Sequence, residues 1–387
     1  MIKKYPILDK KCTGCCSCYN ICPNNSINMI ENEEGFLYPV INKATCIECE
    51  LCKKVCPELN KKKDYNEQKF LKSYYGWHKN QNTRLNSSSG GFFSALAEWI
   101  ISQNGIVFGA AYFNDIKEVK HSSTKEVDIE RLRKSKYVQS SIGSIFKEVQ
   151  DQLVDNKLTL FPGTPCQIDG LKRYLGKDYD NLITIDFICH GVPSPSLLKK
   201  HIEWLEKRIK KTIIDLDFRP KERGWDKHSL GCKDFSSKWW FFPAEDDPYF
   251  KAFLCNYSLR ESCYECNYSD DKHLSDITMG DFWGYHRYNS SIYDKRGLSL
   301  ILVNTDKGYN YINKISSFEK YEIENKYSEY VFQERNPLTY GYNNRNEFFK
   351  YLNRYGWDKT IKRYNLLPNL YLRAKRFFIK IMKKLGV

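Results

Sequence analysis

Read only for hydrophobic and polar positions, the chain changes character near residue 70. From there short apolar runs bounded by turn residues recur: Gly105-Ile-Val-Phe-Gly-Ala-Ala-Tyr112, Leu158-Thr-Leu-Phe161 and Leu182-Ile-Thr-Ile-Asp-Phe-Ile188. Runs of this length and continuity predict buried strands. Phe92 to Ile101, Cys166 to Leu175 and Ser194 to Ile209 carry apolar residues at three- and four-residue spacing, which predicts helices. Strand, loop and helix in repetition predict an α/β core with some parallel strands. Residues 212 to 300 are aromatic and rich in charge, with a further strand expected at Leu298 to Asn304 and a helix after it.

Before residue 60 the pattern is set by cysteine instead. Cys12, Cys15, Cys18 and Cys22 followed by Pro23 fit C-x2-C-x2-C-x3-C-P, and Cys46, Cys49, Cys52 and Cys56 followed by Pro57 repeat it. In this arrangement a tight loop gives three thiolates to one cubane, while the cysteine before proline reaches across to the other. The expected sets are Cys12, Cys15, Cys18 with Cys56, and Cys46, Cys49, Cys52 with Cys22. Zinc also takes CxxC pairs, but it does not account for a third cysteine and a Cys-Pro in both copies. Cys16 falls outside the repeat and is expected to be a small packed residue. The organisation expected is an α+β ferredoxin module at 1–60, a lysine-rich polar linker at 61–69, an α/β core at 70–340 and a basic helical tail at 341–387.

Composition adds limits. The chain has 387 residues, 41% hydrophobic and 15% aromatic, ample for a core, and no apolar stretch of the length a bilayer span requires. Met1 to Pro6 has two lysines but no apolar run after them, so it does not read as a secretory signal, and a cytoplasmic location is expected. Fifteen cysteines in such a chain point to metal binding, not disulfides. The formal charge of +14 invites a nucleic-acid reading, yet thiolate-bound clusters carry net negative charge and would offset part of it. A redox partner, protein or small molecule, is expected instead of nucleic acid.

Three segments of the core carry further chemistry. Asn86-Ser-Ser-Ser-Gly-Gly-Phe-Phe93 leads straight into a helix, which suits a phosphate but also describes an ordinary N-cap. In Gly163-Thr-Pro-Cys-Gln167 the Thr-Pro pair reads as N-cap and first helical residue, leaving Cys166 at the positive end of a helix. With Cys189 after another strand and the pair Cys263-Tyr-Glu-Cys266, the core offers four thiols in three segments. They could ligate a third cubane, or they could be inert buried cysteines; Cys232 and Cys255 are read as packing residues.

Taken in order, Ser87-Ser-Ser-Gly-Gly91, Ser135-Lys-Tyr-Val-Gln-Ser140, Phe161-Pro-Gly-Thr-Pro-Cys-Gln167, Cys189-His-Gly-Val-Pro-Ser194, Arg260-Glu-Ser-Cys-Tyr-Glu-Cys266 and Ser275-Asp-Ile-Thr-Met-Gly-Asp-Phe-Trp-Gly284 resemble the coenzyme F420 hydrogenase/dehydrogenase beta-subunit family, in the branch with an N-terminal ferredoxin domain. The resemblance runs from residue 12 to about 304. It implies a flavin-dependent oxidoreductase whose α/β core binds FAD and a 4Fe-4S cluster, with coenzyme F420 as a candidate two-electron carrier. Independently of the resemblance, exposed low-potential cubanes are open to oxygen attack, so an anaerobic setting is expected. Carried over by position, Ser88, Ser89, Gly90, Gly91, Lys136, Gly163, Thr164 and Pro165 would surround the flavin, Asp281 to Gly284 would form a cofactor-lining turn, and Cys166, Cys189, Cys263 and Cys266 would hold the core cluster. Lys136 also reads as a solvated loop lysine, Asp281 as a turn former, and His190 as a turn-capping residue. No catalytic acid or base is assigned. A non-catalytic relay that docks another enzyme is the alternative; some relatives of similar layout resemble proteins of surface-polysaccharide gene sets.

Beyond Pro368 the apolar residues Leu370, Ala374, Phe377, Phe378, Ile381 and Leu385 fall on one helical face and Arg373, Arg376, Lys380, Lys383 and Lys384 on the other. Such a helix can lie on an anionic membrane surface, dock an acidic partner or pack on its own domain.

Overall fold

The computed structural model of the chain describes residues 3–4, 10–60, 70–269, 273–333 and 342–368. The expected linker at 61–69 and the amphipathic segment beyond 368 lie outside the described residues. No helix among the described residues is long and apolar enough to cross a membrane.

Fourteen strands among the described residues form three sheets. A small antiparallel sheet orders β1 (Lys3–Lys4), β3 (Leu37–Ile41) and β2 (Ile27–Glu31) as β1-β3-β2. The large sheet takes β4 (Lys72–His78), β5 (Ile106–Phe113), β6 (Glu118–Ser123), β7 (Thr159–Pro162) and β8 (Leu182–Phe187), while β9 (Ile213–Asp217), β10 (Ser229–Asp234) and β11 (Trp239–Pro243) make a second small antiparallel sheet. With β12 (Ile277–Asp281), β13 (Ser299–Val303) and β14 (Phe318–Ile323), the large sheet runs β14-β4-β13-β12-β8-β7-β5-β6. Its centre, β12-β8-β7-β5, is parallel, and antiparallel strands complete both sides.

The strands expected from the apolar runs are β5, β7, β8 and β13, and the three expected helices are Phe92–Ser102, Pro165–Leu175 and Pro195–Ile209. Each face of the large sheet is covered, as parallel strands require. Phe92, Ala95, Leu96 and Ile100 pack with Val107, Leu160, Ile183, Ile277 and Ile301 on one face. Phe108 and Phe161 pack with Ile142, Phe146, Val149, Ile168 and Leu171 on the other. The alternation of β13 follows from the pleat: Ile301 and Val303 enter the first cluster, Leu300 and Leu302 a separate aromatic one with Tyr75, Trp225 and Phe282.

The N-terminal module is packed onto this core. Gly35, at φ +90°, lies so close to Ser196 that an added Cβ would sit 2.3 Å from the serine Cβ. Gly170, inside the Pro165–Leu175 helix, is equally constrained, since a Cβ there would lie 2.8 Å from Cys15 Cβ and 2.9 Å from Ser17 Oγ. Ser17 Oγ donates to the Gly170 carbonyl, Asn20 Nδ2 to Gly143 O at 2.8 Å, and the buried Arg345 forks onto Glu34. Part of the segment expected as a tail joins the core: Phe348, Phe349, Leu352, Trp357, Ile361 and Leu366 share a cluster with Phe36, Leu197 and Tyr249. Their aromatic content, not the basic residues beyond them, places residues 344–366 inside.

Candidate functional site

Open parallel sheets bind ligands at the carboxyl ends of their strands, where the loops diverge. Here β7 ends at Pro162 and runs through Gly163 and Thr164 into the helix carrying Cys166; β8 ends before Cys189; β12 ends at Asp281 before the turn to Gly284. Three of the motifs therefore converge on one edge. Thr164 and Gln167 form a capping box, with Thr164 N donating to Gln167 Oε1 at 3.0 Å and Pro165 at the first helical position.

The four core cysteines come together. Cys166, Cys189, Cys263 and Cys266 line one open cavity of about 500 Å³ with Thr13, Glu58, Thr164, Pro165, Gly191, Val192, Ser262, Asn267 and Tyr268. Burial raises the Cys166 thiol well above its ordinary pKa and pushes Cys263 up to about 12, and for Cys166 the other three cysteines add to the shift. Cys232 is fully buried in β10 and Cys255 ends the Pro248–Leu254 helix; neither lines this cavity.

A second cavity of about 360 Å³ is lined by Cys12, Cys15, Cys18 and Cys56 together with Gly14, Met29, Pro39 and Pro57. This is the first set expected from the spacing, including the crossing cysteine before Pro57. Thr13 and Glu58 belong to both cavities, so the two four-thiol sites stand wall to wall. Among the described residues no group of three or more His, Cys, Asp or Glu side chains is placed to hold a single metal ion. The remaining set lies farther out: Cys49 is exposed, Cys22, Cys46 and Cys52 are half-buried, and Asn24 Nδ2 donates to Thr45 O at 3.3 Å, tying the Cys22 loop to the Cys46 loop. Cys16 is buried among Phe108, Phe146, Phe161 and Ile168 and lines the first-set cavity from its edge.

The residues carried to the flavin fall into two neighbourhoods. Ser88 Oγ accepts from Ser135 N at 2.8 Å, and Ser89 Oγ donates to Leu298 O at 2.6 Å. Lys221 donates to Ser89 O, Arg84 O and Arg296 O at 2.6 to 2.7 Å, and lies beside the Arg219–Asp281 ion pair. Lys136 donates to Arg131 O and Arg133 O. Burial pulls both lysines down to about 7, against the carboxylates nearby, Asp215 and Asp217 for Lys136 and Asp281 for Lys221. Gly90 is required by packing, since a Cβ would meet Gly76 O at 2.3 Å; Gly91, at φ +94°, opens the Phe92–Ser102 helix. Gly284 precedes the short Tyr285–Asn289 helix. Thr164 and Pro165 stand at the cysteine cavity instead.

The segment 135–140 joins the two neighbourhoods. Ser135 meets Ser88, Tyr137 OH accepts from Arg219, Gln139 Nε2 donates to Thr13 O at 2.9 Å, and Ser140 meets Gln167 and His121. His190, expected to cap a turn, stands 2.7 Å from Asn256 Oδ1.

Arg219, Lys221 and Arg260 escaped the sequence reading as functional residues. Of the three, Arg260 alone lies within one of the ordered family motifs. It is fully buried and donates to Cys12 O at 2.6 Å, Gln139 Oε1 at 2.9 Å and Leu37 O at 2.9 Å.

Residues 156–329 match the family model described as the C terminus of the coenzyme F420 hydrogenase/dehydrogenase beta subunit, and residues 11–59 match a 4Fe-4S dicluster domain. No curated protein matches the chain. Among solved structures, a chain from the xenon-derivatised F420-reducing [NiFe] hydrogenase complex of Methanosarcina barkeri is similar at 17% identity and a TM-score of 0.48, over 72% of this chain and 92% of that one.

Proposed function

Since the chain belongs to the coenzyme F420 hydrogenase/dehydrogenase beta-subunit family and carries an N-terminal 4Fe-4S dicluster domain, we propose that it is an iron-sulfur flavoprotein oxidoreductase. It would exchange electron pairs with a reduced carrier of the F420 kind at FAD and single electrons with a redox partner. The observation that supports this most is the shared wall of Thr13 and Glu58 between the core cavity and the ferredoxin cavity.

Cys166, Cys189, Cys263 and Cys266 would hold a core cluster, Cys12, Cys15, Cys18 and Cys56 the adjoining one, and Cys46, Cys49, Cys52 and Cys22 the outermost. When bound, the clusters supply one-electron transfer and the flavin the change between electron pairs and single electrons. The donor sets fit: each cavity offers the four thiols a cubane takes, the second with Cys16 beside them. Val192, Pro165 and Tyr268 give the core cavity a largely apolar wall that limits water.

For the flavin the fit rests on charge. The ammonium groups of Lys136 and Lys221 donate to backbone carbonyls, and burial works against their protonation. A pyrophosphate near Ser88, Ser89 and Ser135 would keep both charged, because a nearby anion favours the cationic form. The Arg219–Asp281 pair holds the β12 turn in place beside them.

An anaerobic count of iron, sulfide and flavin on the reconstituted chain tests the reading. About twelve iron and one FAD are expected, falling to about eight iron in Cys263→Ser. About eight iron and no flavin in the unmodified chain would leave a ferredoxin fused to a docking domain.

A further inference from the structure

Among the described residues four arginines are almost wholly buried, and three of them face an acid. Arg84 pairs with Asp294, Arg219 with Asp281 and Arg345 with Glu34. Arg260 differs. Among the described residues its guanidinium bonds only neutral oxygens, of Cys12, Leu37 and Gln139, and no carboxylate stands within ion-pair distance. Tyr38 and Phe36 lie under it, at 4.3 and 5.4 Å. A buried cation without a counter-charge costs several kcal/mol, a cost that an anion bound beside it would offset.

Its position says what that is. Gly14, at φ +73°, leaves room for the guanidinium: a Cβ there would lie 3.0 Å from Arg260 Nη1 and 2.9 Å from Gln139 Nε2. Through Cys12 O and Gln139 the side chain grips the loop Cys12–Gly14, whose Thr13 forms part of the wall between the two cavities. On the other side its own carbonyl accepts from Cys263 N at 3.0 Å.

We propose that Arg260 is the shared counter-charge of the two adjoining cluster sites, positioning the Cys12 loop and raising the reduction potential of the clusters that flank it. A cubane held by four thiolates is anionic and becomes more so on reduction, so a fixed, buried positive charge beside it favours the reduced form. Arg260 is a positioning residue: its hydrogen bonds reach the peptide next to a ligand, not the ligand sulfur. The inference rests on the cysteine sets assigned above.

The test is an anaerobic redox titration followed by electron paramagnetic resonance on the reconstituted full chain, with Arg260→Gln and Arg260→Lys. Arg260→Gln should keep its iron while the flanking clusters become at least tenfold harder to reduce, about 59 mV for one electron. Arg260→Lys should stay within twofold of the unmodified chain. Unchanged reduction in a fully loaded Arg260→Gln would overturn the proposal. Should Arg260→Gln fail to load, Arg260→Lys decides: loaded and near the original potential supports a charge effect, whereas a tenfold shift, or failure to load, assigns the residue to folding alone and overturns it. If the unmodified chain holds only about eight iron, the core-cluster assignment fails. The Cys12 site then still reports on Arg260 by the same criteria.

Discussion

The two copies of the cysteine motif share a backbone and differ in their surroundings. Cys12-Thr-Gly-Cys15-Cys-Ser-Cys18 and Cys46-Ile-Glu-Cys49-Glu-Leu-Cys52 place left-handed residues at matching positions, Gly14 (φ 73°) against Glu48 (φ 54°) and Cys16 (φ 65°) against Glu50 (φ 58°). The spacing thus dictates the loop. The residues between the ligands decide what covers it. In the first copy Cys15 and Ser17 are buried against Gly170; in the second Cys49 is exposed and its neighbours Ile47 and Leu51 are 61% and 37% exposed. One half of the module is built into the core and the other faces outward, where a one-electron partner could reach it.

The sharpest way to break this asymmetry is to push the buried half off its seat. Gly170→Val would place methyl groups where Cys15 Cβ already stands 2.8 Å from an added Cβ. Overpacking of that kind costs about 3 kcal/mol. We expect loss of the Cys12-set cluster, about four iron per chain, with a lowered thermal midpoint. Leu51→Ser in the exposed copy should change stability by about 0.5 kcal/mol or less and keep its iron. Equal iron loss in both variants would mean the module does not depend on the core.

A milder probe is a chelator. The Cys46, Cys49, Cys52 and Cys22 set should lose iron at least ten times faster than the Cys12 set, because attack requires access. Following each cluster by its paramagnetic signal, with Cys46→Ser and Cys12→Ser chains as references, gives the two rates. Matching rates would remove the distinction between the halves.

Much of this was legible from residues alone, and the reason is physical. Ligand spacing is local, so both motifs stand complete in the sequence; buried parallel strands read as continuous apolar runs, so β5, β7 and β8 were plain. Strands such as β4, Lys-Ser-Tyr-Tyr-Gly-Trp-His, and β12, Ile-Thr-Met-Gly-Asp, were not, since mixed polar and aromatic residues carry no clean period. Thr184 and Asp276 show the cause: neighbouring buried strands satisfy each other's polar groups through hydrogen bonds at 2.8 Å, a pairing across 92 residues. The same holds for Arg260, whose partners at Cys12 and Leu37 lie more than 220 residues away. Charge balance in a buried wall appears only once the chain is folded.

The smallest effect concerns the position where the copies differ most, Cys16 against Glu50. Cys16 adjoins the ligand cavity yet packs among Phe108, Phe146, Phe161 and Ile168, so Cys16→Ala should retain all iron and cost about 1 kcal/mol near pH 7.5. Burial, aided by Cys15 and Cys12, pushes its thiol up to about 12. The folded chain therefore keeps this proton above about pH 8.5, where the unfolded chain releases it, so its stabilising contribution is lost as pH rises toward 12. The slope is up to about 1.4 kcal/mol per pH unit, and Cys16→Ala removes it. Thermal midpoints taken anaerobically at one scan rate should differ at pH 7.5 in favour of the unmodified chain and converge or cross by about pH 9.5. A gap that stays constant with pH would show a thiol of ordinary acidity, and iron loss in Cys16→Ala would make Cys16 a ligand and the two copies chemically unequal.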